Sequence, residues 1–168
     1  KFIKPKDLAV FTSLNKIKIK VSIKPKISVL STGDELIEPS NIKNTKKTLN
    51  INGHVIQSMI NDFGGNSLDL GICKDDESAI KNKIKLALSS SDALVISAGS
   101  SVGPKDNIPE IINSLGDPGL IVHGVSMKPS SPTGLGFINN KPIIILPGYP
   151  VSAFIAFFVF GKILLSTL

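Results

Sequence analysis

The 168 residues amount to one domain, with or without a short appendage, and suffice to bury a sizeable core. Hydrophobic residues make up 42% and charged residues 19%, the balance of an ordinary globular protein rather than a disordered chain. All 19 basic residues are lysine, and residues 1–50 hold 11 of them against 4 acids, but aromatic content is 5% and no basic run is interleaved with aromatics, which argues against nucleic-acid binding. Cys73 is the single cysteine, so there is no disulfide framework and a cytoplasmic location is expected. His54 and His123 lie too far apart in sequence for a metal-ligand spacing. Because the first residue is lysine, the chain is expected to be a piece of a longer one.

In chain order, PKDLAVFTSL (5–14) predicts a short helix with Pro5 at its start. KIKIKVSI (16–23) alternates with period two and predicts a lysine-protected edge strand, followed by a second, buried strand in KPKISVL. Residues 37–48 are polar and predict a loop. INGHVIQSMINDFG predicts a helix from Asn50 that stops at Gly64-Gly65. A strand follows at 66–74, then an amphipathic helix at 75–90 whose Asp75, Asp76 and Glu77 suit the positive end of its dipole. DALVISAG (92–99) predicts a buried strand, 107–116 a helix, and 119–127 a strand. GLGFINNKPIIIL (134–146) predicts a β-hairpin turning at Asn139-Asn140. The final helix starts near Pro150; its apolar run at 151–165 is short for a membrane span of about 20 residues and fits a core helix.

Alternating strands and helices predict an α/β domain with a mostly parallel sheet over residues 26–168, and residues 1–25 as an N-terminal appendage. Ligands of open parallel sheets collect beyond the carboxyl ends of the strands. The unusual stretches fall there: STGDEL (31–36), CKDDE (73–77), SAGSSVGPKD (97–106) and LPGYPVSA (146–153), with KPSSPTG as a fifth. Small residues such as Gly99, Ser100, Ser101 and Gly103 let a backbone approach a phosphate, although many plain strand-to-helix turns carry two glycines. Pro147 and Pro150 fix two backbone angles around Gly148, and amides near Ser152 would face an oxyanion; the plain alternative is a rigid turn. Glu35, Asp75 and Asp106 follow three different strands. Acids meeting at one edge repel unless a cation sits among them, and a hard cation such as Mg²⁺ takes oxygen ligands. Lys105 and Lys128 would neutralise an anionic ligand.

Taken together and in this order, VLSTGDEL, the helix opening with Asn50 and Asn52, LGICKDD, SAGSSVGPKD, VSMKPSSPTG and ILPGYPVSAF resemble the central domain of the molybdopterin molybdenumtransferase family, the MoeA proteins and the gephyrin E domain. The resemblance covers roughly residues 20–168 and implies a three-layer α/β/α sandwich. It implies insertion of molybdate into adenylylated molybdopterin with release of AMP and a need for Mg²⁺, in a homo-oligomer that contacts neither nucleic acid nor membrane. By the same resemblance Glu35, Asp75, Asp106 and Lys128 fall on catalytic positions, with Asp75 and Asp106 at the metal. Thr32, Gly33, Gly99, Ser100, Ser101, Gly103, Pro147, Gly148, Pro150 and Ser152 fall on binding positions, and Asp34 shapes the turn beside Glu35.

The chain departs from the family pattern at Ala98, Gly124, Ser130, Ser131 and Tyr149. The family commonly has glycine at 98 and 130, lysine at 124 and 131, and asparagine at 149. Three alternative functions share features of this pattern: a molybdopterin-adenylylating domain, a competence-associated nucleotide-recycling domain, and a non-catalytic scaffold. The first two are disfavoured by the wording of SAGSSVG and LPGYPVS.

Overall fold

The computed structural model describes residues 3–41, 46–98 and 107–168. Helix α1 (Pro5–Ser13) opens the chain as expected, but none of its residues is buried. The strand expected at 16–23 is not formed: the segment joins no ladder, and Ile17 and Ile23 are 89% and 93% exposed. Period-two alternation specifies a strand only when a neighbouring edge accepts its hydrogen bonds, and no described strand lies beside this one.

The first sheet strand is β1 (Lys26–Thr32), buried at every residue after Lys26. The polar stretch read as a loop contains two-residue strands β2 (Leu36–Ile37) and β3 (Thr48–Leu49), which pair in parallel, and a 3-10 turn at Pro39–Asn41. Helix α2 (Ile51–Asp62) leads to β4 (Asn66–Cys73), and α3 (Glu77–Ser90) leads to β5 (Ala93–Ser97). Asp76 caps α3 by accepting from the Ala79 amide at 2.7 Å. A short α4 (Ile108–Asn113) precedes β6 (Pro118–His123), β7 (Gly134–Ile138) and β8 (Lys141–Leu146). The β7–β8 hairpin turns at Asn139 and Asn140, both at positive φ (50° and 65°), the conformation that asparagine tolerates best after glycine. The chain ends in α5 (Pro150–Ala156), a π-helical turn at Phe157–Gly161 and α6 (Lys162–Thr167).

The six main strands form one sheet in the order β4-β1-β5-β8-β7-β6. The first four run parallel, and only β7 is reversed against its neighbours. One face packs Leu30, Leu94, Ile96 and Ile143 against Ile80 and Ile84 of α3 and Ile111 and Ile112 of α4. The opposite face packs Ile27, Val29, Val95 and Ile144 against Ile56 and Ile60 of α2 and Ala153, Phe157 and Leu165 of the terminal helices. Alternate residues of a strand reach opposite faces, so a sheet clothed on both sides demands unbroken apolar strands, and β5 (ALVIS) meets that demand. This is the expected three-layer α/β/α sandwich.

The helical stretch Pro150–Thr167 has a mean hydropathy of 1.8 over 18 residues and is long and apolar enough to cross a membrane. Its inner side is nevertheless part of the core through Ala153, Ala156, Phe157 and Leu165.

Because β4, β1, β5 and β8 are parallel, Cys73, Thr32, Ser97 and Leu146 end at one edge. Antiparallel β7 begins there too, with Gly134 opposite Ile145. The loops at 33–36, 74–76, 128–133 and 147–150 therefore share an edge.

Candidate ligand site at the carboxyl edge of the sheet

A cleft of about 100 Å³ opens at this edge, between the 33–50 excursion, the start of α2, the end of β5 and the 147–150 loop. Glu35, Asn50, Asn52, Ser97, Gly148 and Pro150 are among its lining residues. No lysine lines it among the described residues.

The near wall is built from β1 outward. Gly33 continues the β1–β4 pairing by donating its amide to the Cys73 carbonyl at 3.1 Å. Its φ of 152° favours glycine, and a Cβ there would lie 2.7 Å from Glu35 Oε2. The Glu35 carboxylate thus folds back over the Gly33 backbone. Asp34 Oδ1 accepts from the Asp75 amide at 3.3 Å, so Asp34 ties the β1 turn to the β4 turn, the shaping role expected of it. The Thr48 amide donates to the Glu35 carbonyl and the Asn50 amide to the Ile37 carbonyl, both at 2.9 Å, which closes the excursion onto itself.

Asn50 then locks this wall to the helix. Its Oδ1 accepts from the Gly53 amide at 3.1 Å as the cap of α2, and also from the buried Ser31 hydroxyl at 2.8 Å. Its Nδ2 donates to Glu38 Oε1 at 2.8 Å, and Glu38 Oε2 lies 2.9 Å from His54 Nε2. The far wall hangs on Asn52, whose Nδ2 donates to Ser97 Oγ at 2.9 Å and to the Gly148 carbonyl at 2.8 Å. Ser97 opens a stretch expected at this edge and both asparagines belong to the resemblance, but no site role was expected of the three. Two asparagines flanking Ile51 were the available signal, but at a helix start such residues read simply as caps.

Of the expected site residues, Glu35, Gly148 and Pro150 line the cleft. Thr32 and Pro147 are buried behind it, at the ends of β1 and β8. Asp75 lies on the β4 turn, bonded through its amide to Asp34. Lys128 is exposed on the 128–133 turn and does not line the cleft. That turn is joined to α5, because the Ser130 hydroxyl donates to the Ser152 carbonyl at 2.7 Å. Ser130 stands at φ 99°, a left-handed conformation that favours glycine, which is the residue the resemblance expects there. Gly99, Ser100, Ser101, Gly103, Lys105 and Asp106 lie outside the described residues.

Burial pushes the Cys73 thiol above its ordinary value; the Lys83 ammonium opposes this, and the Asp76 and Asp75 carboxylates add to it. The thiol therefore stays protonated at neutral pH and supplies no thiolate nucleophile or soft metal ligand. The Ser78 hydroxyl and the Ala79 amide hold the Asp76 carboxyl below its usual range, so Asp76 serves as an ionised cap. Among the described residues, no group of three His, Cys, Asp or Glu side chains is placed to hold a metal ion.

A three-layer α/β/α sheet whose carboxyl edge carries acidic and glycine-bearing turns defines a class of binding domain, and comparison with known proteins agrees. Residues 28–166 match the family described as a probable molybdopterin binding domain. The chain is 39% identical over 166 residues to a putative molybdopterin biosynthesis protein of Methanocaldococcus jannaschii, covering 94% of this chain and 41% of that protein. It is 30% identical over 163 residues to the molybdopterin molybdenumtransferase of Staphylococcus aureus, covering 95% of this chain and 38% of that one. A crystal structure of the molybdopterin biosynthesis MoeA protein of Pyrococcus horikoshii superposes with a TM-score of 0.85 at 35% identity, covering 95% of this chain and 39% of its own. The chain belongs to the molybdopterin-binding domain family, with its near relatives among the MoeA proteins of molybdenum cofactor biosynthesis. It spans about two fifths of the length of those relatives.

Proposed function

We propose that residues 26–168 are the molybdopterin-binding domain of a molybdopterin molybdenumtransferase, which inserts molybdate into adenylylated molybdopterin and releases AMP, and that residues 1–25 are an appendage to it. The observation that carries this reading is the meeting of the carboxyl ends of β1, β4, β5 and β8 at one edge, with a cleft there lined by Glu35, Asn52, Ser97 and Gly148. Family membership over 28–166 supports the substrate class.

In this reading Glu35, folded over Gly33 at the cleft, faces the substrate and accepts or orients a proton there. The 147–150 turn positions the oxyanion, with Gly148 free of a side chain and Pro150 opening α5. Lys128 offsets substrate charge from the neighbouring turn. Thr32 and Gly33 hold the near wall, and Ser152 holds the far one through Ser130. Gly99, Ser100, Ser101 and Gly103 belong to the proposal as the phosphate-facing turn.

The donor chemistry at the β4 turn suits Mg²⁺, which is commonly held by one or two carboxylates together with substrate phosphate oxygens. Asp75 would hold it with Asp106. When bound, the ion neutralises phosphate charge and polarises the bond to the leaving group. Association of copies is part of the same proposal; the exposed apolar side chains Val151, Phe154, Phe158 and Ile163 along the terminal helices support it.

The test is titration of adenylylated molybdopterin into the chain, with and without Mg²⁺. Asp75→Asn is expected to lower the Mg²⁺-dependent affinity by about tenfold, ~1.4 kcal/mol, while leaving the melting temperature close to that of the parent. Binding that ignores both Mg²⁺ and Asp75 would contradict the proposal.

A further inference from the structure

Asn52 is more than nine-tenths buried, in the first turn of α2, yet it does not cap that helix; Asn50 does. Its Nδ2 is shared between Ser97 Oγ at the end of β5 and the Gly148 carbonyl of the 147–150 turn. A backbone carbonyl can only accept, so the amide orientation is fixed by Gly148. Its Oδ1 is buried without a hydrogen-bond partner among the described residues. Within the described residues, then, the amide's work is done by its Nδ2 alone. What the side chain does accomplish is to tie α2 to both the end of β5 and the Gly148 turn, beyond the β5–β8 ladder that already brings those two together.

We propose that Asn52 is a positioning residue: by holding the Gly148 carbonyl against the Ser97 end of β5, it sets the width of the ligand cleft. The proposal rests on the reading of the cleft as the substrate site, and it adds a residue to which the resemblance assigned no role. Asn50 does the corresponding work on the opposite wall, through Ser31 and Glu38. The first turn of α2 therefore sets both walls from one rigid element, which is how a site keeps its geometry without a ligand present.

Hydrogen exchange of the unliganded chain tests the tie independently of any substrate. The Ala153 amide, bonded to the Tyr149 carbonyl, and the Ala98 amide, bonded to the Leu146 carbonyl, flank the Gly148 turn. In Asn52→Leu, protection at both is expected to fall by about tenfold, ~1.4 kcal/mol, with the β1 amides unchanged. Asn52→Asp supplies a second arm. Its neutral carboxyl has a single O–H, enough to donate to the Gly148 carbonyl, whereas its carboxylate opposes that carbonyl. Among the described residues, Glu35 is the one ionisable side chain that lines the cleft with Asn52, while Glu38 and His54 lie outside the lining, beyond Asn50. With no lysine lining the cleft among the described residues, burial favours the neutral form.

Protection at Ala153 and Ala98 in Asn52→Asp, corrected for intrinsic exchange, is therefore expected to be weak at pH 8 and to recover towards wild type at pH 5. Asn52→Leu recovers at neither pH. Affinity for adenylylated molybdopterin should follow the same pattern. Unchanged protection in Asn52→Leu, or equal protection in Asn52→Asp at both pH values, overturns the positioning role. If the exchange pattern is as stated while the parent chain binds no adenylylated molybdopterin, the positioning role stands and the substrate reading fails.

Discussion

Two hollows among the described residues differ in character. The cleft at the carboxyl edge of the sheet is about 100 Å³ and sets side-chain amides, a serine hydroxyl, a carboxylate and a backbone carbonyl among apolar residues such as Leu36, Leu49 and Ile51. The second hollow, about 550 Å³, runs between β6, β7, β8 and the terminal helices and is lined chiefly by residues such as Ile121, Phe137, Phe160 and Leu164. The larger one offers apolar surface and little that would orient a charged ligand; the smaller one offers fixed donors and acceptors. Size gives contact area, whereas convergent polar groups give orientation and specificity. The cleft is held by hydrogen bonds across loops, and the groove by packing, so different substitutions should damage them.

The largest effect is expected from the packed side. Phe157 is fully buried in the cluster beneath the terminal helices. Phe157→Ala should cost ~3–5 kcal/mol in denaturant melts, because the cavity it leaves cannot close fully. A cost under 1 kcal/mol would mean that the helices are not anchored as described. Gly136→Ala comes next. A Cβ there would press on the Gly119 carbonyl and lie 2.9 Å from Leu120 Cα, both backbone, so β6 must shift at ~1–3 kcal/mol. Neither change should alter the cleft directly.

Gly33→Ala acts on the cleft itself. The φ of 152° is strained for alanine, and the new Cβ displaces the flexible, exposed Glu35 carboxylate, so ligand affinity should fall as well as stability. Comparing melting with titration of the same variant separates the two. Asp76→Ala tests a charged cap away from both hollows. A carboxyl held low in the fold contributes stability above its unfolded range and loses it as the pH falls through its folded value. The variant should therefore melt lower than the parent at pH 7, with the gap closing on acidification below the usual carboxylate range. The smallest effect is expected from Leu86→Lys, at a side chain that is 52% exposed on α3 and lines neither hollow. It should leave stability within ~0.5 kcal/mol and cleft binding unchanged.

Much of the fold was legible because local patterns agree with the tertiary outcome. The apolar run of β5, the acidic start of α3 and the Asn139-Asn140 turn each follow from short-range rules. The edge strand expected at 16–23 failed because alternation says nothing about whether a partner strand exists. Strands β2 and β3 escaped notice because two residues carry no period. At the site, Glu35 and the proline-bounded turn at 147–150 stood out as polar or rigid residues at strand ends. Asn52 did not, since its role depends on Ser97 and Gly148, which are brought to it only by the folded sheet.

The central claim is that the polar edge, and not the larger apolar groove, receives the ligand. Hydrogen exchange of the chain with and without adenylylated molybdopterin and Mg²⁺ tests it most directly. Added protection is expected at residues 33–36, 48–53 and 148–153, with the amides of β6 and β7 unchanged. Protection confined to the stretch from Ile121 to Phe137 and to α6, with none at the cleft, would contradict it.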